Sequence, residues 1–159
     1  MKWQWEAGSQ SRSGSGVGSM FRGQFEHSID AKGRLSIPAR FREVLASRSP
    51  DRLVVTNFES CVLAYAVPDF EEIERNLASK SQTPQVRNHI RFFVGGAHEV
   101  EVDPTGRIVL PPPLRKYAAL EKDVVLVGVT KRFEIWSAER WRNAQAKNEQ
   151  ETADFIPDL

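Results

Sequence analysis

A single cysteine, Cys61, among 159 residues excludes an intrachain disulfide and any cysteine-based zinc site. It sits in the apolar run Cys61-Val62-Leu63-Ala64-Tyr65, where a lone thiol reads as a small core hydrophobe in a reduced compartment. No apolar stretch approaches the roughly 20 residues of a membrane span. Lys2 is followed by no apolar core of a secretory signal, so the expected location is the cytoplasm and no membrane partner is expected. Charge of one sign is also missing: the formal net charge is +1, whereas a strongly basic balance would have pointed to nucleic acid at once. His27, His89 and His98 are the only histidines, and they show no metal-ligand spacing. Phosphate loops, nucleophile elbows and paired-carboxylate sites are absent too. A metal, a cofactor and enzymatic activity are therefore not expected. What is present is ordinary: 40% hydrophobic and 27% charged residues, enough to bury a core.

Residues 1–19 open with Met-Lys-Trp-Gln-Trp-Glu and run on rich in Gly and Ser. They read as a flexible extension, or a remnant foreign to the natural protein, with Met20 as an alternative start. From Met20 the chain repeats itself. Asp30-Ala-Lys-Gly-Arg34-Leu-Ser-Ile-Pro38 matches Asp103-Pro-Thr-Gly-Arg107-Ile-Val-Leu-Pro111 at an offset of 73. The match continues through Arg42 with Arg115 and Ala46 with Ala119. It resumes two residues shorter, with Val54 on Val125, Tyr65 on Trp136 and Phe70 on Trp141. Internal duplication is the first organising feature to establish. The boundaries read as an extension at 1–19, a first repeat at 20–80, a linking helix at 81–97, a second repeat at 98–148 and a tail at 149–159.

Each repeat predicts the same elements. An alternating strand (24–29 or 99–102) leads into a tight turn at Gly33 or Gly106 and a short strand (34–37 or 107–110). Pro38 or Pro111 closes that strand and opens a short helix (39–45 or 113–119). A hairpin follows (53–56 with 62–66, or 124–129 with 133–137). A helix closes each repeat, the first with Phe70, Ile73 and Leu77 on one face and the second capped by Ser137. Between the repeats, 84–94 reads as a helix with Val86, Ile90 and Phe93 inward, stopped by Gly95-Gly96.

The turn Asp-x-x-Gly-Arg has a physical logic. Glycine supplies positive φ, and the aspartates Asp30 and Asp103 can accept hydrogen bonds from turn N–H groups. Arg34 and Arg107 then start the next strand at the rim, where a guanidinium can pair bidentately with phosphate or with guanine O6/N7. The competing reading is that each arginine only braces its own aspartate. On chemistry alone the two weigh equally. Lys32, Arg40 and Arg42 gather near the first motif and tilt the balance toward nucleic acid, with these three as phosphate candidates.

Met20-Phe-Arg-Gly23, Asp30-Ala-Lys-Gly-Arg-Leu-Ser-Ile-Pro-Ala-Arg-Phe-Arg42 and Asp103-Pro-Thr-Gly-Arg-Ile-Val-Leu-Pro111 resemble the MraZ family of bacterial transcriptional regulators, within the SpoVT/AbrB DNA-binding superfamily. The resemblance spans about residues 20–155. It implies an α+β fold: a duplicated swapped-hairpin, AbrB-like β-barrel with surrounding helices, the two halves forming an intrachain pseudo-dimer. It implies cyclic homo-oligomers that bind double-stranded DNA at short tandem promoter repeats upstream of the division and cell-wall gene cluster. A repressor associated with the nucleoid is the expected role. It places the DNA contacts on Arg34 and Arg107. Three rivals stand beside it: an enzyme, an antitoxin of the same superfamily, and a ring-forming scaffold without DNA affinity. Two fused halves and a short tail count against the antitoxin.

Overall fold

The computed structural model describes residues 20–155, so the expectations for 1–19 lie outside the described residues. The fold is α+β. Repeat one contributes β1 (Phe21–Ser28), β2 (Arg34–Ser36), α1 (Ala39–Ala46), β3 (Arg52–Phe58), β4 (Cys61–Ala66) and α2 (Val67–Ser79). A linking helix α3 (Pro84–His89) runs straight into a π-helical turn (Ile90–Val94). Repeat two contributes β5 (His98–Glu101), β6 (Arg107–Val109), α4 (Pro112–Tyr117), β7 (Asp123–Thr130), β8 (Phe133–Ser137) and α5 (Ala138–Thr152).

The strands form an antiparallel six-stranded sheet in the order β1-β7-β8-β4-β3-β5 and a separate two-stranded ribbon, β2-β6. Each repeat's first strand pairs with the other repeat's hairpin: β1 with β7, and β5 with β3. The registers obey one pseudo-two-fold. Phe25 faces Leu126, and the equivalent His98 faces Val55. On the axis, equivalent residues face each other: Leu35 meets Ile108, and Leu63 meets Glu134. The expected closed barrel is corrected here. The sheet is open, with β1 and β5 at its edges, because β2 and β6 pair with each other instead of extending it.

One core lies between the sheet, the ribbon and helices α1 and α4. Leu35 and Ile108 reach into it from the ribbon, at 0% and 1% exposure, beside Phe21, Phe41, Leu114, Leu126 and Phe133. The rings of Phe41 and Phe133 lie 4.8 Å apart, with Phe21 edge-on to both. A second cluster covers the sheet's other face in repeat one, where α2 and the π-helical turn bury Cys61, Leu63, Tyr65, Phe70 and Phe93.

The repeats part company at one strand. The stretch Val94-Gly95-Gly96-Ala97 stands where repeat one has the first half of β1, and there the chain is still turning instead of extended. Thr56 Oγ1 donates to the Phe93 carbonyl at 2.6 Å. Gly96 packs so closely that a Cβ would lie 2.6 Å from Asn57 Oδ1. The linking helix begins at Pro84 as expected, capped by Thr83, whose hydroxyl accepts from Val86 N–H at 3.2 Å. Its last turn widens to π geometry before the glycines. No helix among the described residues is long and apolar enough to cross a membrane.

Candidate nucleic-acid interface

The ribbon is built by the two Asp-x-x-Gly-Arg turns. In the first, Asp30 Oδ1 accepts from the backbone N–H of Lys32 and of Arg34, both at 2.9 Å. Asp30 Oδ2 takes Arg34 Nε at 2.6 Å. In the second, Asp103 Oδ1 accepts from the N–H of Thr105 and Arg107, at 2.9 Å each, and from the Thr105 hydroxyl at 2.8 Å. Asp103 Oδ2 takes Arg107 Nε at 3.2 Å. Gly33 at φ +83° and Gly106 at φ +82° close the turns. The backbone N–H of Arg34 above all, and its side chain, hold the Asp30 carboxyl down at about 2. Asp103 is lowered to about 2 by the N–H of Arg107 first and the Thr105 hydroxyl next. Both aspartates are therefore firmly anionic acceptors.

Two cross-repeat backbone bonds extend the ribbon: Ile37 N–H to the Gly106 carbonyl at 2.8 Å and Leu110 N–H to the Gly33 carbonyl at 2.9 Å. Strand alternation then divides the faces. Leu35 and Ile108 point into the core, so Arg34, Ser36, Arg107 and Val109 share the outer face. From β1, His27 Nδ1 lies 2.8 Å from the Ser36 carbonyl, a donor contact in the corresponding tautomer, and ties the ribbon to the sheet edge.

The brace uses one edge of each guanidinium and leaves the other open. Each arginine engages its aspartate through Nε. The side chains of Arg34 and Arg107 are 38% and 37% exposed. Their Nη groups make no hydrogen bond among the described residues. The aspartate fixes the plane of the fork and leaves the Nη edge outward, which is preorganisation for a planar acceptor.

The other candidates divide. Lys32 is exposed at the first turn's tip, and Arg40 lies in the first turn of α1. Arg42 has a supporting position: its Nε donates to the Ile37 carbonyl at 3.1 Å, and its side chain lies against Gly106 of the other repeat. Arg115 mirrors it, donating to the Leu110 carbonyl at 3.1 Å and lying against Gly33. This crossed packing was not foreseen from the sequence, although the matched spacing of Arg42 and Arg115 was its signal. Ser36 and Val109 were missed as surface residues of the site. The alternation that buries Leu35 and Ile37 was enough to find them. Among the described residues no cluster of histidine, cysteine and carboxylate side chains could hold a metal ion.

The sequence matches the family described as "MraZ protein, putative antitoxin-like" twice, over residues 20–92 and 93–155. The chain belongs to the MraZ family. It is 48% identical to the transcriptional regulator MraZ of Desulforamulus reducens, over 88% of this chain and 99% of that protein. It is 45% identical to the Acidithiobacillus ferrooxidans transcriptional regulator MraZ, over 79% and 88% of the two chains. The Nitrosospira multiformis transcriptional regulator MraZ is 47% identical, over 87% and 95%. MraZ membership makes the chain a transcription regulator and sets the enzyme reading aside.

Proposed function

We propose that this protein regulates transcription by binding double-stranded DNA through the outer face of the β2-β6 ribbon. One observation carries the reading: two symmetry-related arginines, each held at Nε by its own aspartate, present open Nη edges on that face. A two-stranded ribbon fits the B-DNA major groove, about 12 Å wide, and arginine pairs bidentately with guanine O6/N7 there. Lys32, Arg40 and Arg42 flank the ribbon as phosphate contacts, so an almost neutral chain can still present a local basic face.

The exchange of β1 and β5 between repeats is the feature we read as the swapped hairpins of an AbrB-like pseudo-dimer. We divide it into repeats at 20–80 and 98–148 joined by 81–97. One ribbon holds few cations, so the chain acts as a cyclic homo-oligomer on short tandem repeats, where neighbouring contacts raise the effective concentration. Light scattering should give a mass several times 18.0 kDa, and a stable monomer at working concentrations would reject the ring. A repressor of the division and cell-wall gene cluster, in the cytoplasm at the nucleoid, is the role this supports.

The test is a pair of variants. Arg34→Ala and Arg107→Ala should each weaken specific binding by about 1–3 kcal/mol where the contact is bidentate to guanine. Loss spread over all sequences, with the salt slope reduced by about one unit, would mark a phosphate contact instead. Unchanged affinity in folded Arg34→Ala and Arg107→Ala proteins rejects the ribbon as the reader.

A further inference from the structure

The ribbon's outer face is a two-by-two array. Arg34 stands across from Val109, and Ser36 across from Arg107. The pseudo-two-fold exchanges Arg34 with Arg107, so the arginine diagonal is symmetric. It also exchanges Ser36 with Val109, so the other diagonal is not.

Val109 is an unusual side chain for this place. Val124, Val125 and Val127 of β7 are buried, at 1%, 6% and 7%, while Val109 is 52% exposed. The other large hydrophobics exposed among the described residues are Met20, Phe92 and Phe155. All three lie outside strands. The turns beside the array differ in the same sense. Lys32 is an exposed cation at the first tip. Its equivalent Thr105 is neutral and spends its hydroxyl on Asp103.

We propose that Ser36 and Val109 give this interface a direction: Val109 takes a thymine methyl group and Ser36 a hydrogen-bonding base edge, each beside the other repeat's arginine. The inference rests on the ribbon being the DNA-reading element. Thymine is the only base that offers a methyl in the major groove, and apolar side chains contact it there. A serine hydroxyl can donate or accept and so meets a polar edge. A protomer with two-fold arginines then reads an element without two-fold symmetry, in one orientation. Lys32, opposite a neutral Thr105, adds a phosphate contact at one end only and reinforces the polarity.

The experiment selects duplexes from a random pool with the full chain, then measures Kd at one salt concentration with each thymine of the selected element replaced in turn by deoxyuridine. That exchange removes only the major-groove methyl. One position should weaken the wild-type protein about fourfold, the worth of one buried methyl group, and should leave Val109→Ser unaffected. Val109→Ser and Ser36→Val each make the array symmetric, and both should select elements closer to inverted repeats. Both positions are exposed, and matching melting curves establish that the variants fold. Insensitivity to every deoxyuridine, or selection of the same oriented element by Val109→Ser, overturns the proposal while Arg34→Ala and Arg107→Ala still lose binding. If those two arginine variants bind as wild type, the ribbon reading itself fails, and this inference with it.

Discussion

Replacing Gly33 with alanine probes the contact that joins the two turns. Gly33 sits at φ +83°, where an L residue costs roughly 1–2 kcal/mol. Its Cβ would also meet the other repeat: Arg115 Cζ at 3.0 Å, Nε at 3.1 Å and Nη2 at 3.2 Å. These are atoms of a flexible side chain, so Arg115 can yield. Yielding stretches its bond to the Leu110 carbonyl, now 3.1 Å, a loss of about 0.5–1.5 kcal/mol. Gly33→Ala should therefore destabilise by about 2–3 kcal/mol. In an Arg115→Ala background only the backbone strain is left, and the cost should fall to about 1–2 kcal/mol. The same logic pairs Gly106 with Arg42, whose Cδ and Nε would lie 2.8 Å from the new Cβ. Urea unfolding at one fixed protein concentration, run on both glycines against both arginines, gives four double-mutant cycles. Coupling should appear for Gly33 with Arg115 and for Gly106 with Arg42. The within-repeat pairs, Gly33 with Arg42 and Gly106 with Arg115, should be additive. Coupling confined to the within-repeat pairs, or none anywhere, would refute the crossed packing.

Phe41→Ala removes a ring that is 1% exposed and lies within 5.3 Å, centroid to centroid, of Phe21, Phe25 and Phe133; it should cost about 3–5 kcal/mol in urea unfolding. Asp30 and Asp103 carry pKa values lowered from 3.8 to about 2, so their stabilisation is complete above the unfolded value and is lost as pH falls from about 4 through about 2. The difference in melting temperature between wild type and Asp30→Asn, or Asp103→Asn, should therefore shrink on acidification across that window, and a constant difference would count against the carboxylate as the brace.

Much of this architecture is legible in the sequence because duplication writes each element twice. The repeated motif located both short strands, and the glycines located both turns, at the observed positions. Alternation says which face a side chain takes and nothing about which strand lies alongside. The pairing of β1 with β7 and β5 with β3 joins residues about a hundred and about forty-five positions apart, and no local signal encodes it. The same gap explains the barrel, which required β2 and β6 to extend the sheet when they pair with each other across the axis. At the site, bracing and reading stood as alternatives because a sequence cannot show which guanidinium edge a partner occupies. Pairing through Nε makes them compatible.

The pseudo-symmetry holds where packing enforces it and lapses where it does not. Around the axis Leu35 meets Ile108, and a change to either leaves a cavity in a shared core. On the sheet's outer face the equivalents are covered differently, although Leu63 and Glu134 meet on the axis, and their chemistry differs. Cys61, Leu63 and Tyr65 lie under α2 and the π-helical turn. Their equivalents Arg132, Glu134 and Trp136 form a polar chain, with Glu134 accepting from Arg132 Nη2 at 3.2 Å and from Trp136 Nε1 at 2.9 Å. A dimer of identical chains could not do this, since every substitution would appear on both sides of the axis. Fusing the halves into one chain lets a single position change alone, and Ser36 against Val109 is that freedom used on the ribbon face. On the proposed reading of the ribbon, identical halves would favour symmetric elements, whereas this chain would keep paired arginines for affinity and carry direction in the residues between them.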